Sequence, residues 1–224
     1  MSKEAKDAVT IRDQLRALPV FDRPLPGFDT DQVPGEPVSL FAAWLAEAID
    51  AKVIEPHAMT LSTVDAQGRP DARVLLLRDV TPAGWQFWTS STSAKGAELA
   101  ANPHAAVSFY WREQARQIRV LGQVSVADQA TRDADFLSRS DASRIASLVG
   151  RQSEVLEDPA ALGREIEAAR QRLADNPQLV AHDHTVYLLA PGEVEFWQGD
   201  HQRQHIRLRY RRSGATWITE RLWP

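Results

Sequence analysis

Residues 117 to 126 alternate so regularly that they restrict the kinds of fold open to this chain. Ile118, Val120, Val124 and Val126 fall on one side of an extended strand, and Gln117, Arg119, Gln123 and Ser125 on the other, because successive strand side chains point to opposite faces. A strand with one apolar and one polar face belongs to a sheet covered on one side, the usual condition of antiparallel sheets. Further strand signals surround it. Ala58 to Val64 reaches a turn at Asp65-Ala66-Gln67-Gly68 and returns as Ala72 to Val80. Trp85 to Thr89, Ala105 to Trp111, Thr185 to Leu189, Glu193 to Gln198, His205 to Arg211 and Trp217 to Leu222 complete the set.

Helical segments lie between these runs. Leu40, Phe41, Trp44, Leu45, Ala48 and Ile49 form one apolar face after Ser39, a natural N-cap. Ser91-Thr92-Ser93 offers hydroxyl caps for a helix ending at Asn102-Pro103. Two more helices cover Asp128 to Arg139 and Asp141 to Val149, the second closed by Gly150. Asp158-Pro159 starts a longer one with Leu162, Ile166, Ala169 and Leu173 on one face. Many short strands with helices between them predict an α+β, mainly β domain over residues 38–224, a barrel or open antiparallel sheet. Residues 1–37, rich in proline and aspartate, read as an extended N-terminal arm.

Hydrophobic residues make up 43% of the chain and charged ones 25%, which separates it from disordered sequences. There are no cysteines, so disulfides, thiolate metal sites, iron–sulfur clusters and cysteine nucleophiles are excluded. A net charge of -4 argues against nucleic acid as a partner, including on the cluster Arg207, Arg209, Arg211 and Arg212. The first seven residues lack the apolar core of a leader and no run reaches membrane-spanning length, so a cytoplasmic location is expected. No dinucleotide fingerprint, Walker A loop or nucleophile elbow is present. His182-Asp183-His184, with His201 further on, lacks metal-ligand spacing and reads as a polar loop, with no metal.

The residues that remain are cations, hydroxyls, glutamines and tryptophans at strand ends. Arg73 and Arg78 flank the apolar run 74–77; five positions apart on one strand they would face opposite sides, unless the strand bends. Lys95 lies in the first turn of a helix after Thr92 and Ser93, where hydroxyls, free N–H groups and a cation converge as they do around phosphates. If Arg203 to Arg211 is a strand, then Arg203, His205, Arg207, Arg209 and Arg211 share one face, and Ile206, Leu208 and Tyr210 the other. Such a row repels itself unless an anionic ligand, acidic neighbours or solvent relieves it.

Seven pieces in collinear order resemble the pyridoxamine phosphate oxidase family. They are His57 to Asp65 with Gly68-Arg69-Pro70; Arg73 to Arg78; Phe87-Trp88-Thr89-Ser90 with Ser93-Ala94-Lys95-Gly96; Arg116 to Gly122; Ser138-Arg139; Arg151-Gln152-Ser153; and Glu195 to Gly199 with Arg203-x-His205-x-Arg207. Glu220 to Pro224 resembles the family's ending. The resemblance implies an FMN-binding split barrel and a homodimer with flavin at the subunit interface. It implies cofactor contacts from Arg73, Val74, Leu75, Leu76, Arg78, Trp88, Thr89, Lys95, Gln117, Gln152, Ser153, Trp197 and Arg207, some across the interface. Substrate contacts are implied for Arg78, Arg139, Ser143, Arg203 and His205, the last two as the catalytic pair. The chemistry implied is hydride transfer from a ring substrate to FMN, with molecular oxygen as acceptor and hydrogen peroxide as product.

Several positions depart from the family's pattern. Arg78 stands for lysine, Trp88 for tyrosine, and Ala94 where an arginine is frequent. Asp135 occupies the place of a tyrosine that helps hold the substrate phosphate, and residues 180–184 replace a Trp-Gly-Gly turn. The departures fall mostly on the substrate side. Phe109 to Glu113 and Arg151 to Glu154 also resemble the phenazine-biosynthesis branch, whose aromatic substrate carries no phosphate; a flavin-binding module without oxidase activity is a further alternative.

Overall fold

The computed structural model describes residues 9–224; Met1 to Ala8, on which the expectation about a leader falls, lie outside them. The arm is not wholly extended. Thr10 caps a short helix α1 (Ile11–Arg16) through a reciprocal bond with Asp13. Beyond it the arm runs back over the body: the Tyr210 hydroxyl donates to the Pro34 carbonyl at 2.8 Å, and Phe28 stacks edge-on against Trp44.

Helix α2 (Pro37–Asp50) is capped at Glu36 with Pro37 in its first position, three residues before the Ser39 cap expected from the sequence. Proline fits there because its missing N–H would have had no helical partner. The helix buries Leu40, Phe41, Trp44 and Ala48 against the sheet, with Phe41 edge-on to Trp85 and Trp44 edge-on to Phe196. Each such buried side chain contributes roughly 1.5–3 kcal/mol of burial.

The strands are β1 (Ala58–Val64), β2 (Pro70–Leu76), β3 (Asp79–Thr81), β4 (Gly84–Ser90), β5 (His104–Trp111), β6 (Arg116–Val126), β7 (His184–Gln198), β8 (Ile206–Ser213) and β9 (Thr216–Arg221). All pair antiparallel in the order β2-β1-β5-β6-β7-β4-β3, while β8 joins β7 and β9 joins β8. The late runs 185–189 and 193–198, read as two strands, are one. Its first half pairs with β4 and its second with β8, and β6 follows it from Tyr187 to Gln198. Ala190-Pro191-Gly192 looks like a break, but it is absorbed by a register shift at Leu121/Gly122. Gly122 is needed there: a Cβ would lie 2.0 Å from the Ala190 carbonyl oxygen. Alternation holds up to this bulge, with Ile118 and Val120 buried, and lapses after it, where Val126 is exposed.

The run 72–80 is likewise not one strand. It leaves β1 after Leu76 and resumes at Asp79 against β4, so Arg78 sits in the break. That resolves the spacing conflict between Arg73 and Arg78.

Helix α3 (Ala94–Ala101) crosses from β4 to β5. Helices α4 (Gln129–Ser138), α5 (Asp141–Val149) and α6 (Pro159–Asp175) join β6 to β7. They enclose a second apolar cluster of Phe136, Leu148, Ala169, Leu173 and Ala181. Leu162, expected on that face, is 46% exposed. Among the described residues no helix is long and apolar enough to cross a membrane.

Candidate active site

Two adjoining cavities open along the rim formed by β2, β4, α3 and α5. The first, about 370 Å³, is lined by Asp71, Arg73, Val74, Leu75, Ala94, Lys95, Gln152 and Ser153. Ser93 caps α3 by accepting from the Gly96 N–H, and Lys95 is buried with its Nζ 3.4 Å from the Ser93 hydroxyl. Burial, and then the charge of Arg73, push the Lys95 pKa down. Arg73 is held by Glu98 at 2.9 Å, by Asp71 at 2.6 Å and by Thr63. Two cations thus face one cavity with their carboxylates on the side of Arg73, and among the described residues Lys95 has no carboxylate hydrogen-bond partner. Glu98, Asp71 and Thr63 were not foreseen. Only Glu98, one turn after Lys95, carried a local signal.

The second cavity, about 460 Å³, shares Gln152 with the first. Its lining includes Trp88, Ser90, Arg139, Ser143, Ser147 and His184. The Thr89 hydroxyl donates to Gln152 at 3.3 Å, and the Ser153 hydroxyl accepts from the Ala94 N–H. The Arg139 guanidinium lies 3.6 Å from the Trp88 ring centroid, and that of Arg78 lies 5.0 Å from the same centroid. Burial lowers the Arg139 pKa to about 10, against the opposing pull of Asp135. Asp183 and His184, read as a polar loop, are buried: Ser90 donates to Asp183 at 2.5 Å, and His184 pairs with Asp135 at 2.7 Å.

The remaining residues singled out from the sequence lie elsewhere. Gln117, Trp197 and Arg207 are cross-strand neighbours on β6, β7 and β8. Trp197 is twelve residues along β7 from Thr185, the partner of Thr89, a contour of roughly 40 Å at strand rise. Arg203 and His205 are not on the strand, contrary to the shared-face expectation. They sit in a turn anchored by Asp200, with Arg203 at φ +66° and His205 Nδ1 accepting from the Asp200 N–H. The His205 ring lies 4.9 Å from that of Trp197, and Phe21 of the arm contacts both. Ile206, expected in the core, is 36% exposed, whereas Leu208 and Tyr210 are buried. Leu76 lines neither cavity and, with Val74, is exposed. The arginine row is relieved by acidic neighbours. Arg207 and Arg119 share the buried Glu195 at 2.7 and 3.1 Å, and Arg209 and Arg211 share Glu220 at 2.6 and 3.2 Å.

Residues 45–173 match the family model described as pyridoxamine 5'-phosphate oxidase. The chain belongs to that family. Residues 184–224 match a second model, the pyridoxine 5'-phosphate oxidase C-terminal dimerisation region. A Pseudomonas fluorescens protein named pyridoxine/pyridoxamine 5'-phosphate oxidase is 42% identical over 200 residues, covering 88% of this chain and 93% of that one. Its counterpart in Paraburkholderia phymatum is 44% identical over 202 residues, covering 89% and 94%. Among solved structures, PhzG from Burkholderia lata 383, in complex with tetrahydrophenazine-1-carboxylic acid, superposes with a TM-score of 0.81 at 34% identity over 89% of this chain and 99% of that one. An FMN-binding protein from Nostoc punctiforme shares the fold, with a TM-score of 0.69 at 21% identity over 84% and 98%. The antiparallel architecture is therefore the split barrel the sequence implied, and the chain is an oxidoreductase of this family.

Proposed function

We propose that this protein is a homodimeric FMN-dependent oxidase of small ring substrates, with molecular oxygen as final acceptor and hydrogen peroxide as product. The observation that carries the reading is the pair of adjoining cavities, one with a buried lysine and an arginine at a helix start, the other with an arginine stacked on Trp88. The residues of the first cavity fit FMN. Lys95, the Ser153 hydroxyl and Arg73 form a donor set suited to a phosphate, which gains from both charge and hydrogen bonds at a helix N-terminus. Thr89 and Gln152 would line the passage between the cavities, and Val74 and Leu75 would offer the first cavity an apolar wall.

Gln117, Trp197 and Arg207 line neither cavity. A second copy bringing its own β6–β8 face onto the rim would complete the site and cover the exposed Val74 and Leu76. The match of residues 184–224 to a dimerisation region supports this arrangement.

When bound, FMN supplies the acceptor for a hydride. The chain's residues do the rest by positioning and charge. Arg78 and Trp88 would hold a flat ring, Arg139 and Ser143 its anionic or polar substituent. Arg203 would orient the reacting end. His205, whose Nδ1 accepts from the Asp200 N–H and whose ring proton therefore sits on Nε2, would donate from Nε2 to the substrate amine or hydroxyl and hold it in place, the proton that the substrate releases passing to water. The substrate loses a hydride and a proton, and oxygen gains two electrons and two protons.

Pyridoxine or pyridoxamine 5'-phosphate is the first reading of the substrate, supported by the named relatives. A ring acid without phosphate is the second, supported by the likeness to PhzG. The test is peroxide release from purified, FMN-loaded protein mixed with pyridoxamine 5'-phosphate or with a dihydrophenazine acid. Release with either supports the oxidase reading; silence with both, in protein that retains FMN, refutes it in favour of a flavin-binding module.

A further inference from the structure

Asp135 and His184 lie 49 positions apart, yet they meet beside the second cavity, which His184 lines, and bind Arg139 into a chain of hydrogen bonds. Arginine can only donate, so at 3.4 Å from an Arg139 terminal nitrogen His184 Nδ1 is the acceptor. The ring proton then sits on Nε2 and donates to Asp135 at 2.7 Å. That is a neutral imidazole, in keeping with the pKa of His184, which burial lowers.

Three of the five Arg139 N–H groups are spent on the protein, one of them on His184. The guanidinium also donates to the Ser147 hydroxyl at 2.9 Å and to the Ser143 carbonyl at 3.2 Å, and one face lies on Trp88. Its Nε is buried with no protein partner. Two donors, the Nε–H and one Nη2–H, are left for an incoming anion. The charges on and beside the lining also nearly cancel: Arg139 and the buried Asp183 line the cavity, Arg78 and Asp135 lie beside it against Trp88 and His184, and Arg151 at the rim is paired with Glu154 at 2.7 Å. A ligand with one negative charge could be matched by what remains of Arg139. A doubly charged phosphate would bring a second negative charge toward the Asp135 carboxylate behind His184, while the second cation, Arg78, is already offset in the count by Asp183.

We propose that the Asp135–His184 pair is a specificity element: it restrains Arg139 and sets the second cavity to accept a ring substrate carrying one negative charge or none, in preference to a phosphate dianion. This rests on the oxidase reading above and selects its second form. Neither residue need touch the reacting atoms; the pair acts through Arg139.

The experiment is equilibrium binding to the FMN-loaded protein, followed by the flavin absorbance change and by calorimetry. The ligands are pyridoxal 5'-phosphate, pyridoxal and phenazine-1-carboxylate. The wild-type protein is expected to bind pyridoxal or the carboxylate at least as tightly as the phosphate. Asp135→Asn is expected to shift the preference toward the phosphate by about tenfold or more, the effect of removing one unit charge within several ångströms at an effective dielectric constant near 20. Asp135→Glu, which keeps the charge, is expected to keep the wild-type order. A wild-type protein that prefers the phosphate more than tenfold overturns the proposal whether or not the variants fold, and so does an Asp135→Asn variant with an unchanged ratio. An FMN-loaded protein that binds none of the three overturns the oxidase reading as well, and is told apart by that silence.

Discussion

Glu195 is the buried carboxylate on which Arg119 and Arg207 converge, and replacing it by glutamine tests whether the arginine row is held by charge. Glu195 is 4% exposed by side chain, Arg207 28% and Arg119 41%. Glutamine keeps the shape and one acceptor oxygen, which can still face Arg207, but it loses the charge. A hydrogen bond to a charged group contributes roughly 1.5–3 kcal/mol. The more exposed Arg119 pair contributes no more than about 1 kcal/mol, because solvent screens it. Keeping one neutral bond to Arg207 offsets part of the loss, so the expected cost is about 2 kcal/mol. For a domain of this size that corresponds to a fall in Tm of roughly 4–8 °C. The assay is thermal unfolding of the cofactor-free protein alongside a urea titration, in which the midpoint should fall and the slope stay unchanged. Arg119→Gln should cost less than half as much. A Tm within 1 °C of wild type for Glu195→Gln would show that solvent, not Glu195, relieves the row.

Other consequences follow from single contacts. Gly122→Ala would drive a Cβ into the Ala190 carbonyl at the bulge, and the backbone on both sides is paired, so a loss of about 3 kcal/mol or more is expected in urea unfolding. Lys95→Met should weaken FMN retention at least about tenfold in an equilibrium titration while leaving the urea midpoint near wild type, since the buried ammonium has no carboxylate hydrogen-bond partner to orphan. The pKa of His184 is lowered by burial, so the unfolded chain binds its proton more readily than the folded one. Stability from this group is present above the ordinary histidine value and is lost as pH falls below it toward the folded value. Urea midpoints measured across that window should fall with pH in the wild type and fall less in His184→Gln.

What could be read from the chain was whatever is local. The alternation of 117–120, the Asp158-Pro159 helix start and the Gly150 stop each depend on neighbours in sequence, and each stands in the structure. Gly150 adopts the left-handed φ of +71° that a helix-ending glycine permits. The continuity of β7 was hidden because Ala190-Pro191-Gly192 has the composition of a turn, and only the opposing bulge of β6 lets the strand pass through it. The placement of Arg203 and His205 was misread because the alternating cations imitate a strand, whereas Asp200 gathers the segment into a turn by accepting from two backbone N–H groups. The ion pairs of the arginine row join β8 to Glu195 on β7 and Glu220 on β9, and sequence spacing does not show them. The same holds for Asp135 and His184. Each could be noticed as a departure from the family's pattern, but their contact is a product of how α4 packs on the start of β7.

The most direct test of the account is spectroscopic. The FMN-loaded protein, held without oxygen and given its ring substrate, should lose the yellow flavin absorbance and recover it on admission of air with one peroxide formed per flavin. Arg203→Ala should slow the bleaching by at least about a hundredfold while leaving FMN bound, as expected for loss of an orienting contact to the reacting end. Flavin absorbance that no pyridoxine-type or phenazine-type substrate diminishes, in protein that binds FMN tightly, would contradict the assignment of this chain as an oxidase.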